Sequence, residues 1–105
     1  MATYIGLVNF TDQGVRQIRH TTERAKALIN AASNLGVKIK DIYWTMGALD
    51  AVLVAETADD ESMMAFAASI GALGNIRTQS LRAFSAAEMN KILERMPAGN
   101  FMSAK

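Results

Sequence analysis

The feature that most constrains the fold of this chain is a predicted β-hairpin in residues 41–56. Two stretches rich in β-branched and aromatic residues, 37–46 and 51–55, lie on either side of Gly47-Ala48. Such residues favour strands, and a glycine at the first position of a two-residue connection suits a type II′ turn. This turn would pair Thr45 with Asp50, Trp44 with Ala51 and Tyr43 with Val52.

The predicted pairing divides the hairpin into two faces, because successive side chains of a strand point to opposite sides of the sheet. A register slip of one residue would exchange the two faces. One face is almost wholly apolar and consists of Ile42, Trp44, Met46, Leu49, Ala51 and Leu53. The other face is mixed and consists of Asp41, Tyr43, Thr45, Asp50, Val52 and Val54.

A strand and a long helix are predicted before the hairpin. Residues 4–10 form a short apolar run, and Thr11 or Asp12 can cap a helix that follows it. Apolar residues then recur at spacings of three and four as far as Leu35, with charged residues mostly between them. The pattern predicts one amphipathic helix of about six turns that ends at Gly36.

Another helix, a last strand and a terminal helix are predicted after the hairpin. The capping and acidic residues of 57–62 begin the helix, which ends at Gly74-Asn75. Residues 76–84 form the strand. Ser85-Ala-Ala-Glu88 has the spacing of a capping box and opens a short helix that runs to about Arg95.

The resulting order, β-α-β-β-α-β plus a C-terminal helix, predicts an α+β fold of the ferredoxin-like split βαβ type. Its sheet has four antiparallel strands in the order 4-1-3-2, with the two long helices on one face. We expect a single domain over residues 1–96 and a flexible C-terminal tail over 97–105.

The sheet face opposite the helices is predicted to carry Tyr43, Val52 and Val54, which are too apolar to remain in water. Sheets of this topology commonly bury that face against a second copy, as in a dimeric α+β barrel. We therefore expect a homodimer or a higher homo-oligomer.

Composition argues against several classes of partner and site. Eleven basic and ten acidic residues give a net charge of +1, which gives no reason to expect nucleic acid or an anionic membrane as partner. No apolar run approaches a membrane span of roughly 18 residues, and no targeting segment is visible, so we expect a cytoplasmic protein.

The chain has no cysteine and one histidine, His20, which we expect to face solvent. With no phosphate loop or dinucleotide motif either, we predict neither a metal site nor a cofactor.

The chain resembles the GYD domain proteins, small bacterial proteins of unknown biochemical function. The resemblance extends from Tyr4 to about Leu93 and rests on Thr3-Tyr-Ile, Leu7-Val-Asn-Phe-Thr-Asp-Gln-Gly, Val37-Lys-Ile-Lys-Asp-Ile-Tyr, Thr45-Met-Gly and Gly74-Asn-Ile-Arg-Thr-Gln-Ser-Leu-Arg-Ala-Phe84. Where the family has Gly-x-Tyr-Asp, this chain has Gly47-Ala48-Leu49-Asp50, so a role that needs the tyrosine hydroxyl does not carry over.

The hairpin and the first strand supply one group of candidate site residues. Asp50 is either a general acid or base, if it is buried, or a structural residue that Thr45 or a turn N–H satisfies. In the wider dimeric α+β barrel group, an Asn on the first strand and a nearby Trp hold aromatic substrates, which would place Asn9, Tyr43 and Trp44 around one cavity. The alternative, purely structural interpretation is that Trp44 belongs to the core and that Asn9 caps a strand end.

The last strand supplies the other candidates, Arg77 and Arg82, which lie on opposite faces of the sheet by parity. Either could hold an anion, or form ion pairs at the surface or between subunits.

Two hypotheses for function follow from the whole set of candidate residues. The first is a self-associating module that holds a small apolar or aromatic ligand. The alternative is a cofactor-independent isomerase or monooxygenase of the dimeric-barrel type, in which Asp50 or Asn9 transfers the proton.

Overall fold

Four strands form one antiparallel sheet in the computed structural model, which describes residues 1–98. The predicted tail of 97–105 lies outside the described residues from position 99 onward. The strands are β1 (Ala2–Phe10), β2 (Val37–Trp44), β3 (Ala51–Thr57) and β4 (Ile76–Ala83), and the α-helices are α1 (Asp12–Val15), α2 (Thr21–Asn34), α3 (Asp60–Ala72) and α4 (Ala86–Glu94), with a 3-10 helix at Ile18–His20 before α2.

The strand order is β2-β3-β1-β4, with β1 antiparallel to both β3 and β4. This is the predicted order 4-1-3-2 read from the other edge, so the α+β fold and its split βαβ connections are confirmed. β1 and β3 are the central strands and carry most of the buried side chains of the sheet.

The hairpin has the predicted register. Trp44 pairs with Ala51 and Tyr43 with Val52, and Thr45 N–H donates to the carbonyl oxygen of Asp50 at 3.0 Å. Gly47, at the tip, has a φ of +101°, a conformation that glycine adopts without steric cost.

An irregularity in β2 was not predicted. The pairing with β3 shifts by one residue between Ile39 and Asp41, which leaves Lys40 as a bulge. Because of this extra residue, Ile39 and Ile42 lie on the same face although they are three positions apart, and both pack against the core. The bulge therefore keeps the apolar residues of β2 under the helices.

The prediction of one continuous helix over residues 12–35 is wrong. The chain forms the short helix α1, leaves it at Arg16, and resumes through the 3-10 helix into α2. The cause is a long-range contact: Thr11 N–H donates to the carbonyl oxygen of Asn75 at 3.1 Å, and Gly14 packs against the same carbonyl group. The start of the helical region is thus held by the residue before β4, and α2 begins after a break in the helix.

The core lies between the sheet and the helices. Phe66 of α3, Val37 of β2 and Thr57 of β3 are its largest fully buried side chains. The Thr57 hydroxyl donates to the carbonyl oxygen of Gly36 at 2.9 Å, which satisfies a polar group with 0% exposure. This bond ties the end of α2 to the far end of β3.

The terminal helix α4 begins with the predicted capping box, formed by Ser85 and Glu88. None of its residues is buried, and none belongs to the core. Its apolar residues Met89, Ile92 and Leu93, with Met96 just beyond, recur at helical spacing and form one stripe along the helix. The described chain measures 56 Å in its longest dimension against 30 and 21 Å in the others.

Candidate ligand cavity

A cavity of about 340 Å³ lies on the helix-covered face of the sheet. Its floor consists of β-strand residues, and its sides come from α2 and from the C-terminal end of α3. The volume falls in the range of roughly 300–1,000 Å³ that is typical of small-molecule sites. The apolar lining residues are Val8, Phe10, Ala25, Ala27, Leu28, Ala31, Ile42, Ala51, Leu53, Ile70, Leu73 and Ile76, together with Trp44.

The space exists because small side chains occupy the positions that face each other across it. α2 presents Ala27 and Ala31, which are four residues apart and therefore share a side of the helix. The floor opposite contains Ala51, which pairs with Val8 on the neighbouring strand. A larger residue at any of these positions would fill part of the cavity.

Trp44 stands at the rim of the cavity. The indole Nε1–H donates to the hydroxyl oxygen of Thr21 at 2.9 Å, and the side chain remains 43% exposed. This bond joins the end of β2 to the first residue of α2 and fixes the orientation of the ring. Since the chain has one tryptophan, its fluorescence reports on this rim alone.

The other polar residues at the rim are Gln17, Arg24 and Asn75. The amide oxygen of Asn75 accepts a hydrogen bond from Gln13 Nε2 at 2.8 Å. No acidic side chain is among the lining residues that the structure describes.

Gln17, Thr21 and Arg24 were not predicted as site residues because the sequence pattern places them inside a continuous helix, and Asn75 was interpreted as the residue that ends the next helix. One signal was present: His20-Thr21-Thr22 is a run of poor helix formers, and the acid that favours a helix start follows at Glu23. His20 is exposed, as predicted, and lies 3.6 Å from the Glu23 carboxylate.

The structure separates the predicted pocket residues onto the two faces of the sheet. Asn9 is exposed and pairs with Arg77, and both lie on the face opposite the helices. Tyr43 lies on this open face as well and is 62% exposed. Asn9 and Trp44 therefore do not line one cavity. The reason is the alternation of a strand: Val8 faces the cavity, so its neighbour Asn9 faces away.

Asp50 has a structural role in the hairpin. Its carboxylate accepts a hydrogen bond from Phe10 N–H at 2.8 Å, and its own N–H donates to the carbonyl oxygen of Val8 at 2.9 Å. The two bonds fasten the end of β1 to the hairpin. Nearby, the Thr45 hydroxyl donates to the carbonyl oxygen of Leu49 at 2.5 Å, away from the cavity.

Arg82 occupies the other end of the helix-covered face. Its guanidinium carbon lies 4.4 Å from the centre of the Phe84 ring and 5.7 Å from that of Tyr4. The Tyr4 hydroxyl donates a hydrogen bond to Asp60, and this bond, together with burial, raises the pKa of Tyr4 above 10.0. Arg77 and Arg82 lie on opposite faces, as parity predicted, and neither lines the cavity.

The structure of residues 1–98 was also searched for membrane-spanning helices and for metal sites. Across this part of the chain, no helix combines the length and apolarity needed to cross a membrane. Nor do the same residues bring together three or more His, Cys, Asp or Glu side chains in an arrangement that could hold a metal ion. The predicted cytoplasmic location stays a prediction.

Comparison with known proteins identifies the family. The model of the GYD domain matches residues 4–93, which is most of the chain. This protein belongs to the GYD domain family. Its fold is similar to the crystal structure of TTHA0845 from Thermus thermophilus, with a TM-score of 0.52 and 24% sequence identity over 82% of this chain and 96% of that one. Comparison with curated proteins gives no match.

Proposed function

We propose that this GYD domain protein is a self-associating module that binds a small apolar or aromatic ligand in the cavity beside α2. The observation that carries the ligand is the composition of the cavity, which is apolar over its floor and sides and polar at a few positions on its rim. This is the usual composition of small-molecule sites, where apolar walls supply affinity and a few polar groups fix orientation.

The volume of the cavity limits the size of the ligand. At about 30 Å³ for each water-sized group, a space of about 340 Å³ holds on the order of a dozen non-hydrogen atoms. A substituted benzene ring is of this size. Side chains around an empty apolar space lack contact partners, so a ligand that fills it gains both burial and dispersion energy.

Binding is better supported than the alternative of a cofactor-independent isomerase or monooxygenase. That hypothesis assigned proton transfer to Asn9 or Asp50 and substrate packing to Trp44. Asn9 faces away from the cavity, and the Asp50 carboxylate is hydrogen-bonded to the backbone of Phe10. Neither residue is among those that line the cavity.

Self-association is supported by the open face of the sheet. Leu7 pairs with Val52, and Ile5 pairs with Val54 on one side and Leu81 on the other, so the apolar side chains form adjoining rows. Only the other face of the sheet is covered by helices, and none of these five side chains is buried. A partner that covers them would remove a contiguous apolar patch from water.

The stripe along α4 is a second apolar surface that nothing covers in the described residues. Met89, Leu93 and Met96 are exposed, Ile92 is half-buried, and none of the four belongs to the core. A partner that covers this stripe together with the open face would remove further apolar surface from water.

Calorimetric titration with three neutral probes of different size and shape tests the ligand: benzyl alcohol, 4-tert-butylbenzyl alcohol and 2-naphthylmethanol. We expect saturable one-to-one binding of at least one probe and a matching change in Trp44 fluorescence. Ala31→Phe should abolish binding because the new ring occupies the cavity. Ala68→Phe, on an exposed position of α3 outside the cavity, is the matched control. Failure of all three probes to bind would contradict the ligand proposal.

Light scattering at micromolar concentration tests self-association. We expect the wild-type mass to be at least twice that of one chain. Val54→Lys should shift the protein towards monomer because it places a charge in the apolar open face, whereas Asn30→Lys on the exposed side of α2 should not. A monomeric wild type would refute this part of the proposal.

A further inference from the structure

We propose that the ligand of the cavity is a carboxylic acid with an apolar or aromatic body, whose carboxylate is held at the rim by Arg24. This inference rests on the proposed ligand-binding function and adds the chemical class of the ligand. It follows from the hydrogen-bonding capacity that remains at the rim, from its charge and from the position of α2.

The rim has more free donors than free acceptors. The hydroxyl oxygen of Thr21 accepts from Trp44 at 2.9 Å, and the amide oxygen of Asn75 accepts from Gln13 at 2.8 Å. The hydroxyl hydrogen of Thr21 and the amide hydrogens of Asn75 remain to be donated. The Gln17 amide, also at the rim, adds donors and one acceptor oxygen, so donors remain in the majority and a ligand group that accepts hydrogen bonds is favoured here.

The positive charge of the rim also favours a carboxylate. Arg24 is the charged residue among those that line the cavity. The two ion pairs found within residues 1–98 join His20 to Glu23 and Lys40 to Glu56, so they leave the Arg24 guanidinium available. Its planar fork of N–H groups matches the two oxygens of a carboxylate.

The start of α2 adds a second source of positive potential. Thr21 is the first residue of this 14-residue helix and also lines the cavity. The N-cap residue, His20, makes no side-chain capping bond, whereas the Thr21 N–H donates to the carbonyl oxygen of Ile18 in the preceding 3-10 helix. The partial positive charge of a helix N-terminus favours an anion near the first turn.

The location of the polar groups defines how the ligand lies. The apolar floor receives the body, and Arg24, which is exposed, keeps the carboxylate at the mouth in contact with water. This arrangement avoids the large cost of transferring a charged group into an apolar interior. One guanidinium also matches one negative charge, which favours a monocarboxylate over a phosphate ester.

A matched pair of probes, 4-tert-butylbenzoate and 4-tert-butylbenzamide, tests the inference by calorimetric titration at pH 7.5. The two have nearly the same shape, but only the acid is charged. We expect the wild-type protein to bind the acid at least fivefold more tightly than the amide. Arg24→Gln should bring the ratio close to one while the affinity for the amide is retained. Lys26→Gln, which removes an exposed cation of the same helix outside the cavity, should leave the ratio unchanged.

The outcomes separate the two proposals. If the amide binds as tightly as the acid, or if Arg24→Gln keeps the preference, the carboxylate inference is refuted and the cavity remains a site for neutral ligands. If neither compound nor any neutral probe binds, both proposals fall. Raising the salt concentration should weaken binding of the acid and leave that of the amide unchanged, because salt screens an exposed ion pair.

Discussion

Replacement of Gly14 by alanine should destabilise the protein strongly, because the added methyl group has no space. An ideal Cβ at Gly14 would lie 1.9 Å from the carbonyl oxygen of Asn75 and 2.9 Å from its carbonyl carbon. Carbon–oxygen contacts of this kind ordinarily measure about 3.3 Å or more. Both groups belong to the backbone, so the clash is relieved only when α1 and the start of β4 move apart by roughly 1.4 Å.

The magnitude follows from what this movement breaks. Two of the hydrogen bonds that cross the same junction are made by Thr11, from its N–H to Asn75 at 3.1 Å and from its hydroxyl to the carbonyl oxygen of Gly74 at 2.6 Å. Each contributes about 0.5–1.5 kcal/mol net, and overpacking itself costs about 1–3 kcal/mol. We therefore expect Gly14→Ala to lower the free energy of unfolding by about 2–6 kcal/mol.

Gly71→Ala is the matched control. It adds the same methyl group inside α3, where an ideal Cβ would meet nothing within 4 Å. Because alanine favours a helix over glycine and restricts the unfolded chain, this change should stabilise the protein by about 0.4–1 kcal/mol. Urea unfolding followed by circular dichroism at 222 nm measures both variants against the wild type at equal protein concentration.

The sign and size of the two changes decide whether the described junction is correct. A loss of less than about 1 kcal/mol for Gly14→Ala would refute the close contact with Asn75, since an ordinary surface substitution costs as little. A comparable loss for Gly71→Ala would show that an added methyl group is harmful at any helical glycine.

Three further predictions concern the core and its edge. Gly6→Ala should lower the free energy of unfolding by about 1–2 kcal/mol, because its Cβ would lie 2.9 Å from the Leu53 side chain, which can move. In a double-mutant cycle measured by urea unfolding, Leu53→Ala should relieve part of this loss. Strict additivity of the two changes would contradict the contact. Thr57→Val should lower the free energy of unfolding by about 0.5–1.5 kcal/mol because it removes the hydrogen bond from the buried Thr57 hydroxyl to the Gly36 carbonyl, whereas Thr57→Ser should cost less. The contribution of Tyr4 to stability should be complete below pH 10.0 and should be lost as the pH rises through the raised pKa of Tyr4 in the folded state. Absorbance titration at 295 nm should show a lower Tyr4 pKa in Asp60→Asn than in the wild type. An unchanged Tyr4 pKa would refute the role of the Asp60 carboxylate.

The sheet could be predicted from the sequence because its signals are local. The turn at Gly47 and the alternation on either side of it indicated the register of Trp44 with Ala51, and this register is confirmed. The order of the strands followed from the order of the elements and from the handedness of the crossovers. The bulge at Lys40 could not be predicted in this way, because an inserted residue shows itself only by the pairing of its neighbours.

The candidate site was harder to predict because it depends on contacts between distant parts of the chain. Trp44 lines the cavity, whereas Asn9, which was assigned to the same cavity by analogy with other proteins, does not. The alternation of β1 already places Asn9 on the face opposite Val8. Thr21 and Arg24 line the cavity because the first helix is interrupted, and a periodic pattern does not show where a helix is interrupted.

The interrupted helix and the cavity have a common cause. A continuous helix over residues 12–35 would be about 36 Å long, longer than the nine-residue strand β1 at roughly 30 Å. Its start would extend past the sheet. The contact of Gly14 with Asn75 instead lies where α1 ends, and both residues line the cavity. Glycine at position 14 therefore contributes both to the fold and to the cavity, because the contact at which α1 ends also forms one side of the cavity.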